Sequence, residues 1–239
     1  MMKTVGIVGG LGPESTIDYY RSIISLYRRK VADGSYPSII IVSLDVDKAL
    51  RLVGSNDLQQ LAEYFAGAIR KLADAGADFA LLSANTPHVV FNDVRRLSPL
   101  PLISIVEATC EEVARRGLKR VSLLGTRFTM SGRFYPEICE KHGIALVAPS
   151  QEEQAYIHDK YVNELLNGVF LPETRDRLQQ IIAIQKQRDC IQGVILAGTE
   201  LPLILRAESV EGLPILDTTQ IHVNAAVSEM LSSQGKCAV

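Results

Sequence analysis

The chain has 239 residues, with 25 Lys and Arg against 27 Asp and Glu, a formal net charge of −2, and 47% apolar residues. This composition is typical of a folded globular protein and argues against disorder. A nearly balanced charge gives no long-range attraction to phosphate backbones, so we expect no nucleic-acid partner. No apolar run approaches the roughly 18 residues of a spanning helix, so we expect a cytoplasmic protein with no membrane association.

The four cysteines predict neither a disulfide framework nor a zinc site. Cys110, Cys139, Cys190 and Cys237 are separated by 29, 51 and 47 residues, without CxxC spacing. We expect the first three to be buried structural thiols. The histidines and acidic residues also lack metal-ligand spacing, so the sequence predicts no metal.

Short apolar runs rich in β-branched residues predict eight strands. Helical segments separate these runs, and the clearest covers residues 58–72, with apolar residues at three- and four-residue steps and Gly76 as its stop. The continuous apolar character of the runs indicates parallel sheets covered on both faces, as in an α/β protein. In chain order the predicted strands cover residues 4–9, 38–44, 79–83, 102–106, 121–125, 145–148, 193–196 and 214–216.

The chain also repeats itself in outline. GIVGGLGPESTIDYYRSI and SLLGTRFTMSGRFYPEI each run from a strand through a glycine turn into a helix, and LLSANTPH and ILAGTELP form a second matching pair. The spacing between paired turns agrees in the two halves, at 75 residues from Gly9 to Ala84 and 73 residues from Gly125 to Gly198. The agreement indicates an internal duplication.

We therefore predict two pseudo-symmetric domains, each with a four-stranded parallel sheet flanked by helices. The first covers residues 1–100 together with a final helix over residues 218–233, and the second covers residues 101–212. In parallel sheets, ligands bind beyond the carboxyl ends of the strands, so the repeated turns should line one crevice between the domains.

Each of these turns offers backbone N–H groups and small polar side chains, which suit a carboxylate or another small anion. The alternative is that these residues only cap helices. Nucleotide binding is disfavoured, because GIVGGLGPEST departs from the GxGxxG pattern and no Gly-Lys-Ser/Thr follows. The residues that we expect to hold the acid are Gly10, Ser15, Asn85, Thr86, Thr126, Thr199 and Glu200.

Five motifs carry a resemblance to a known family. GIVGGLGPEST, SANTPH, LLGTRFTM, AGTELPL and LPILDTTQIH occur in this order along nearly the whole chain. Together they resemble the aspartate/glutamate racemase family. The resemblance implies two pseudo-symmetric α/β domains, usually a homodimer, and an isomerase without a cofactor. It also implies that one cysteine removes the α-proton of an amino acid and a second, on the opposite face, returns it.

The two positions that the resemblance assigns to these cysteines hold other residues. The family motifs read roughly Cys-Asn-Thr and Gly-Cys-Thr-Glu, whereas Ala84 and Gly198 stand at the cysteine positions of this chain. A thiol near a helix N-terminus provides a thiolate base at neutral pH, and a methyl group or a hydrogen provides none. Thiolate racemisation is therefore excluded, and the catalytic residues are left unassigned.

Other side chains are candidates for the missing roles. His88 follows the Asn-Thr turn, His222 is expected near the rim of the crevice, and Glu200 begins a helix, where burial would make it a general base. Each of the three also fits a purely structural role. For a dicarboxylate ligand, Lys48 and Lys160 are the best placed cations by their order along the chain, although solvated lysines are the ordinary alternative.

Three functions fit these observations. The first is an isomerase that acts at the α-carbon of a small amino or dicarboxylic acid with non-cysteine groups and without pyridoxal phosphate. The second is a lyase or decarboxylase of related carbanion chemistry, which protonates its product on one face. The third is a non-catalytic homologue that binds a carboxylate. The sequence favours an enzyme but leaves the choice, the substrate and the stereochemistry open.

Overall fold

The structure is a computed structural model that describes residues 2–205 and 209–232. The strands in these ranges are β1 (Val5–Gly9), β2 (Ile39–Ser43), β3 (Phe79–Leu82), β4 (Leu102–Ile103), β5 (Arg120–Gly125), β6 (Ala145–Val147), β7 (Val194–Ala197), β8 (Ser209–Val210) and β9 (Leu213–Asp217). The helices are α1 (Pro13–Lys30), α2 (Val46–Gly54), α3 (Leu58–Asp74), α4 (Phe91–Leu97), α5 (Ile105–Arg115), α6 (Arg127–Ser131), α7 (Phe134–Lys141), α8 (Gln151–Asn163), α9 (Pro172–Asp189), α10 (Leu201–Leu205) and α11 (Thr218–Leu231), with 3₁₀ turns at Thr86–Val90 and Leu165–Asn167.

The strands form two sheets. The first has the order β2-β1-β3-β4 with parallel pairs throughout, and the second has the order β6-β5-β7-β9-β8. The predicted α/β fold with parallel sheets is thereby confirmed. In each sheet a central pair, β1 with β3 and β5 with β7, carries the turns of the sequence repeat at its carboxyl ends.

The second sheet has one strand more than the four that we predict. Strand β8 is antiparallel to β9, and the two are joined by Glu211 and Gly212, which have φ values of 53° and 72°. Two successive residues with positive φ form the tight turn that suits the twist of a β-hairpin. A strand of two residues has no apolar periodicity, which is why the sequence does not signal it.

Helices cover both faces of each sheet. In the first sheet, Val8 and Leu82 face a cluster with Phe65 of α3, whereas Ile7 and Leu81 face a separate cluster with α1 and α11. Apolar residues on both faces explain why the strands are continuously apolar. Helix α11 also packs against α5. The predicted final helix corresponds to α11, and Ser233, its predicted end, lies outside the described residues.

The strands near the predicted domain limits can be assigned to sheets, but this assignment does not define where one domain ends and the other begins. Strand β4 at Leu102–Ile103 belongs to the first sheet, and β9 at Leu213–Asp217 belongs to the second. The division into residues 1–100 and 101–212 stays a prediction. None of the helices in the described part of the chain has the length and apolar character needed to cross a bilayer.

The cysteines differ from the prediction in two respects. Cys110 of α5 and Cys139 of α7 are buried as predicted, but they form a disulfide rather than free thiols, because the helices bring them together. Cys190 is exposed rather than buried, and it ends α9 in the left-handed conformation, with φ 52°. Cys237 lies outside the described residues.

Candidate active site

A pocket opens between the two sheets at the carboxyl ends of β3, β5 and β7. Ala84, which follows β3, and Gly198, which follows β7, both line it, so the structure brings to one cavity the two positions that the resemblance assigns to cysteines. Apolar side chains from both halves of the chain form most of its wall. They are Leu11, Val46, Ala49, Leu50, Val53, Phe65, Phe128, Val162 and Leu166.

Two threonine hydroxyls meet across the pocket wall. Thr86 follows the first sheet and Thr126 the second, and their Oγ1 atoms are 3.0 Å apart. Thr129 lies behind them, with its Oγ1 atom 3.2 Å from that of Thr126. The hydroxyls satisfy one another in this structure, and rotation of Thr86 and Thr126 towards the cavity would present two uncharged donors to a carboxylate.

Asn85 is fixed by a buried network. Its Nδ2 donates to the hydroxyl of Thr218 at 3.1 Å, and its Oδ1 accepts from the Tyr135 hydroxyl at 2.6 Å. Thr218 in turn donates to the carbonyl of Leu196 at the end of the second sheet. Asn85 lines the pocket, so the network holds an amide in place and retains one N–H of Nδ2 for a ligand.

Tyr161 of α8 occupies the space next to Gly198. A Cβ atom built on Gly198 would overlap Cε2 of the tyrosine and lie 3.1 Å from its hydroxyl oxygen. Tyr161 lines the pocket although it is only 5% exposed. Its hydroxyl donates to Oε2 of Glu200 in a short hydrogen bond. Burial, followed by the charge of Glu200, raises the pKa of the Tyr161 hydroxyl well above its ordinary value.

Glu200 lies behind Tyr161 and does not line the pocket. The Thr199 hydroxyl also donates to its Oε2, at 2.9 Å, whereas its Oε1 is buried without a hydrogen-bond partner, against Gly12. Burial raises the pKa of the Glu200 carboxyl, and the hydrogen bonds from Tyr161 and Thr199 offset part of this rise. The condition that we set for a general base, a desolvated carboxyl, is therefore met.

Two other residues that we expect to hold the acid form hydrogen bonds within the protein instead. The Gly10 N–H donates to Thr16 Oγ1 at 2.9 Å, and the buried Ser15 hydroxyl donates to the carbonyl of Ser83 at 3.1 Å. Neither residue lines the pocket. The predicted role of Thr199 is also indirect, since it contacts Glu200 and not the cavity.

Both candidate histidines are buried outside the pocket and have both ring nitrogens engaged. His88 Nε2 accepts from the N–H of Ile105, and its Nδ1 lies 3.1 Å from the Ala84 carbonyl. His222 Nδ1 contacts the Tyr19 hydroxyl at 2.8 Å, and its Nε2 contacts the Ile103 carbonyl at 3.1 Å. Burial lowers the pKa of His88 to about 3 and that of His222 to about 4. His222 is thus not at the rim, and neither ring is free to carry a substrate proton.

Neither predicted cation reaches the pocket. Lys48 is exposed and lies over the Tyr64 ring at 4.5 Å, and Lys160 pairs with Glu164 at 2.5 Å. Lys160 and Tyr161 are adjacent in α8, so the helical rotation turns one outward and the other into the pocket. Among the side chains that line the pocket in the described chain, none is Lys, Arg, Asp or Glu.

Sequence reasoning missed two polar residues of the pocket. Tyr161 shares a buried face of α8 with Ile157, four residues earlier, and this spacing could have indicated its inward direction. His158, which we expect at the surface or an interface, lines the pocket, and its Nδ1 accepts from the N–H of Arg127 at 3.4 Å. Burial and the neighbouring Arg127 lower its pKa. The described residues contain no group of three or more His, Cys, Asp or Glu placed to bind a metal ion.

Paired parallel sheets with a pocket between their carboxyl ends define an α/β protein with a small-ligand site. A family model described as Asp/Glu/Hydantoin racemase matches residues 8–226, and the chain therefore belongs to this family. The resemblance that the motifs carry is confirmed.

Known relatives cover nearly the whole chain. The broad specificity amino-acid racemase RacX of Bacillus subtilis (strain 168) is 28% identical over 96% of this chain and 99% of its own length. The crystal structure of an aspartate racemase homologue from Pyrococcus horikoshii OT3 is 32% identical, with a TM-score of 0.83, and covers 97% of this chain and 100% of that chain. Picrophilus torridus aspartate racemase, at 22% identity over 95% of this chain and 94% of its own, shares the fold with a TM-score of 0.77.

Proposed function

We propose that the protein is an isomerase-family enzyme that binds a small amino or carboxylic acid in this pocket and acts at its α-carbon without a cofactor. The observation that supports the proposal is the meeting of Ala84 and Gly198 in one cavity with the Thr86–Thr126 hydroxyl pair. The hydroxyls and the Asn85 amide would hold the carboxylate. Its α-carbon would then lie beside the two vacated positions.

The pocket favours a substrate with one carboxylate and an apolar side chain. Its polar lining residues are uncharged donors, apart from the titratable His158, and its remaining wall is mostly aliphatic and aromatic. A second carboxylate buried against such a wall would cost several kcal/mol without a cation. We therefore favour apolar amino acids over the dicarboxylic acids that the sequence also allowed. The name of RacX, a relative of broad specificity, agrees with this preference.

The proposal is tested by titrating the protein with the L and D forms of leucine, methionine, aspartate and glutamate. Binding is measured by calorimetry, and loss of the α-proton signal in deuterium oxide is followed by NMR. We expect binding and α-proton exchange with leucine or methionine. Binding without exchange would favour the non-catalytic homologue, and release of carbon dioxide or an unsaturated product from a carboxylic acid would favour the lyase. Absence of both binding and exchange across the panel would contradict the proposal.

Two further expectations come from the sequence. We propose that the enzyme is a homodimer and that it works in the cytoplasm. Light scattering of the purified chain tests the first, and fractionation of the producing cell tests the second. A monomer at micromolar concentration, or recovery with the membrane fraction, would contradict them.

A further inference from the structure

In the described chain, the hydrogen bond between Tyr161 and Glu200 joins a residue that lines the pocket to a buried carboxyl. The Tyr161 hydroxyl donates to Glu200 Oε2, and it lies 3.1 Å from the Cβ position of residue 198. The phenol therefore occupies the side of the pocket at which a side chain at residue 198 would lie. Its hydrogen-bond partner is 1% exposed. A proton that reaches this hydroxyl has a defined acceptor behind it.

We propose that Tyr161 and Glu200 are a proton relay that removes and returns the α-hydrogen of the bound acid on one face. The proposal rests on the function proposed above. Tyr161 is the catalytic residue, because it lines the pocket, and Glu200 acts through it as the proton acceptor.

The step balances without a further reagent. The α-C–H bond breaks, and its proton bonds to the Tyr161 oxygen. The proton that the hydroxyl already carried passes along the existing hydrogen bond to Oε2 of Glu200. The electron pair of the C–H bond stays on the substrate as an enolate, which the donors at the carboxylate stabilise. Tyr161 is neutral before and after, Glu200 changes from carboxylate to acid, and the reverse sequence returns a proton to the same face.

The surroundings of Glu200 suit both of its protonation states. Oε2 accepts from Tyr161 and Thr199 when the group is charged, and Oε1 is buried beside Gly12 without a partner. An unpartnered, desolvated oxygen makes the carboxylate a stronger base than it is in water. The raised pKa of Glu200 agrees with this geometry. The charge of Glu14 also opposes ionisation of Glu200.

A relay on one wall returns the proton to the face from which it came. The opposite cysteine position offers only the methyl group of Ala84, and the nitrogens of the nearby His88 are engaged in the fold. We therefore expect α-deuteration of one enantiomer with retention of configuration. Racemisation by two bases would instead incorporate deuterium with inversion.

The test compares α-deuteration of L- and D-leucine and of L- and D-methionine by wild type, Tyr161→Phe, Glu200→Gln and two control variants. Tyr156→Phe removes a hydroxyl from the same helix outside the pocket, and His142→Gln removes a histidine at an exposed position, also outside the pocket. We expect Tyr161→Phe to slow exchange by 100-fold or more, the range of general acid–base catalysis. Binding of leucine should change less than threefold, and both controls should exchange at the wild-type rate.

Glu200→Gln separates a relay from a merely structural contact through the pH profile. Wild-type exchange should rise with pH as Glu200 ionises and then level off, and this step should be absent in the variant. Undiminished exchange in Tyr161→Phe, an equal loss of exchange in either control variant, or deuteration with inversion would overturn the relay alone. A wild type that neither binds nor exchanges any of the amino acids would overturn the proposed function and the relay with it.

Discussion

The ring of Tyr161 lies where a side chain at residue 198 would project. A Cβ atom on Gly198 would overlap Cε2 of that ring and approach Cζ to 3.1 Å. The second position that the resemblance assigns to a cysteine is thus filled from another helix, so a thiol placed at residue 198 would require the tyrosine to move. The absence of a side chain at Gly198 therefore leaves the space that the Tyr161 ring occupies.

The first prediction follows from this overlap. Gly198→Ala should lower the free energy of unfolding by about 1–3 kcal/mol, the usual cost of overpacking a buried site. Denaturant unfolding of Gly198→Ala, Tyr161→Ala and the double variant measures the coupling between the sites. The double variant should be more stable than the sum of the single losses predicts. Gly67→Ala is the control, because its Cβ would meet only the end of the Arg70 side chain, at 3.8 Å. Strict additivity would contradict the overlap.

Much of this fold could be predicted from the sequence because buried parallel strands leave a strong local signal. Each predicted strand overlaps an observed one, and the two sheets follow from the repeat. The pocket position was predictable for a related reason, since strand ends fix where turns lie. Ala84, Asn85, Thr86, Thr126 and Gly198 all line it.

The other features of the site could not be predicted, because the order of residues does not show which way a side chain points once the helices are packed. Lys160 and Tyr161 are neighbours in the chain, but only the tyrosine lines the pocket, because helix rotation separates them by about 100°. His88 and His222 follow the turns closely in the sequence. Both nevertheless form buried hydrogen bonds with residues far from them along the chain. Such long-range pairings, like the Cys110–Cys139 disulfide, emerge only when the helices are packed.

The second prediction concerns the network that holds Asn85. Tyr135→Phe removes the donor at 2.6 Å from Asn85 Oδ1 and leaves a buried acceptor unsatisfied. We expect the free energy of unfolding to fall by about 1–3 kcal/mol. Binding of leucine should also weaken, because Asn85 lines the pocket. Denaturant unfolding and calorimetry measure the two effects. Tyr20→Phe, at an exposed position of α1, should change neither, and wild-type stability in Tyr135→Phe would argue against the network.

The third prediction concerns the disulfide between α5 and α7. Its two cysteines are 29 residues apart, so removing it by Cys110→Ala with Cys139→Ala should cost about 3 kcal/mol of unfolding free energy. Alkylation of the denatured but unreduced chain, followed by mass spectrometry, should leave both residues unlabelled. Cys190→Ser is the control, because this thiol is exposed and free. Labelling of Cys110 and Cys139 without a reductant would contradict the pairing.

The fourth prediction concerns the direction in which the two buried histidines change the free energy of unfolding as the pH falls. Burial lowers the pKa of His222 to about 4 and that of His88 to about 3, whereas an unfolded histidine titrates near 6.5. Between about pH 6.5 and 4 the unfolded chain therefore binds protons that the native chain does not. Each histidine then lowers the free energy of unfolding by up to about 1.4 kcal/mol per pH unit as the pH falls, and contributes no slope above about 6.5.

The contribution of His222 is measured by difference, because other groups titrate in the same range. Burial raises the pKa of Asp217 to about 6, which favours the native state as the pH falls and opposes the histidines. Comparing His222→Gln with wild type between pH 4.5 and 7 cancels this common term. The variant should lose less stability on acidification than wild type does. His142→Gln, at an exposed position, should match wild type, and equal slopes for all three proteins would refute the assignment.

The fifth prediction tests why the pocket should reject dicarboxylic acids. Val162 lines it, and Val162→Lys would introduce a cation into a wall that has none. Pairing with a second carboxylate at a partly buried site is worth on the order of 1–2 kcal/mol, so affinity for aspartate or glutamate should rise about tenfold, and that for leucine should fall. Calorimetric titration of the four ligands measures the change. Val169→Lys places the same charge at an exposed position outside the pocket and should leave every affinity unchanged. An equal gain in both lysine variants would mean that net charge, and not the pocket wall, selects the acid.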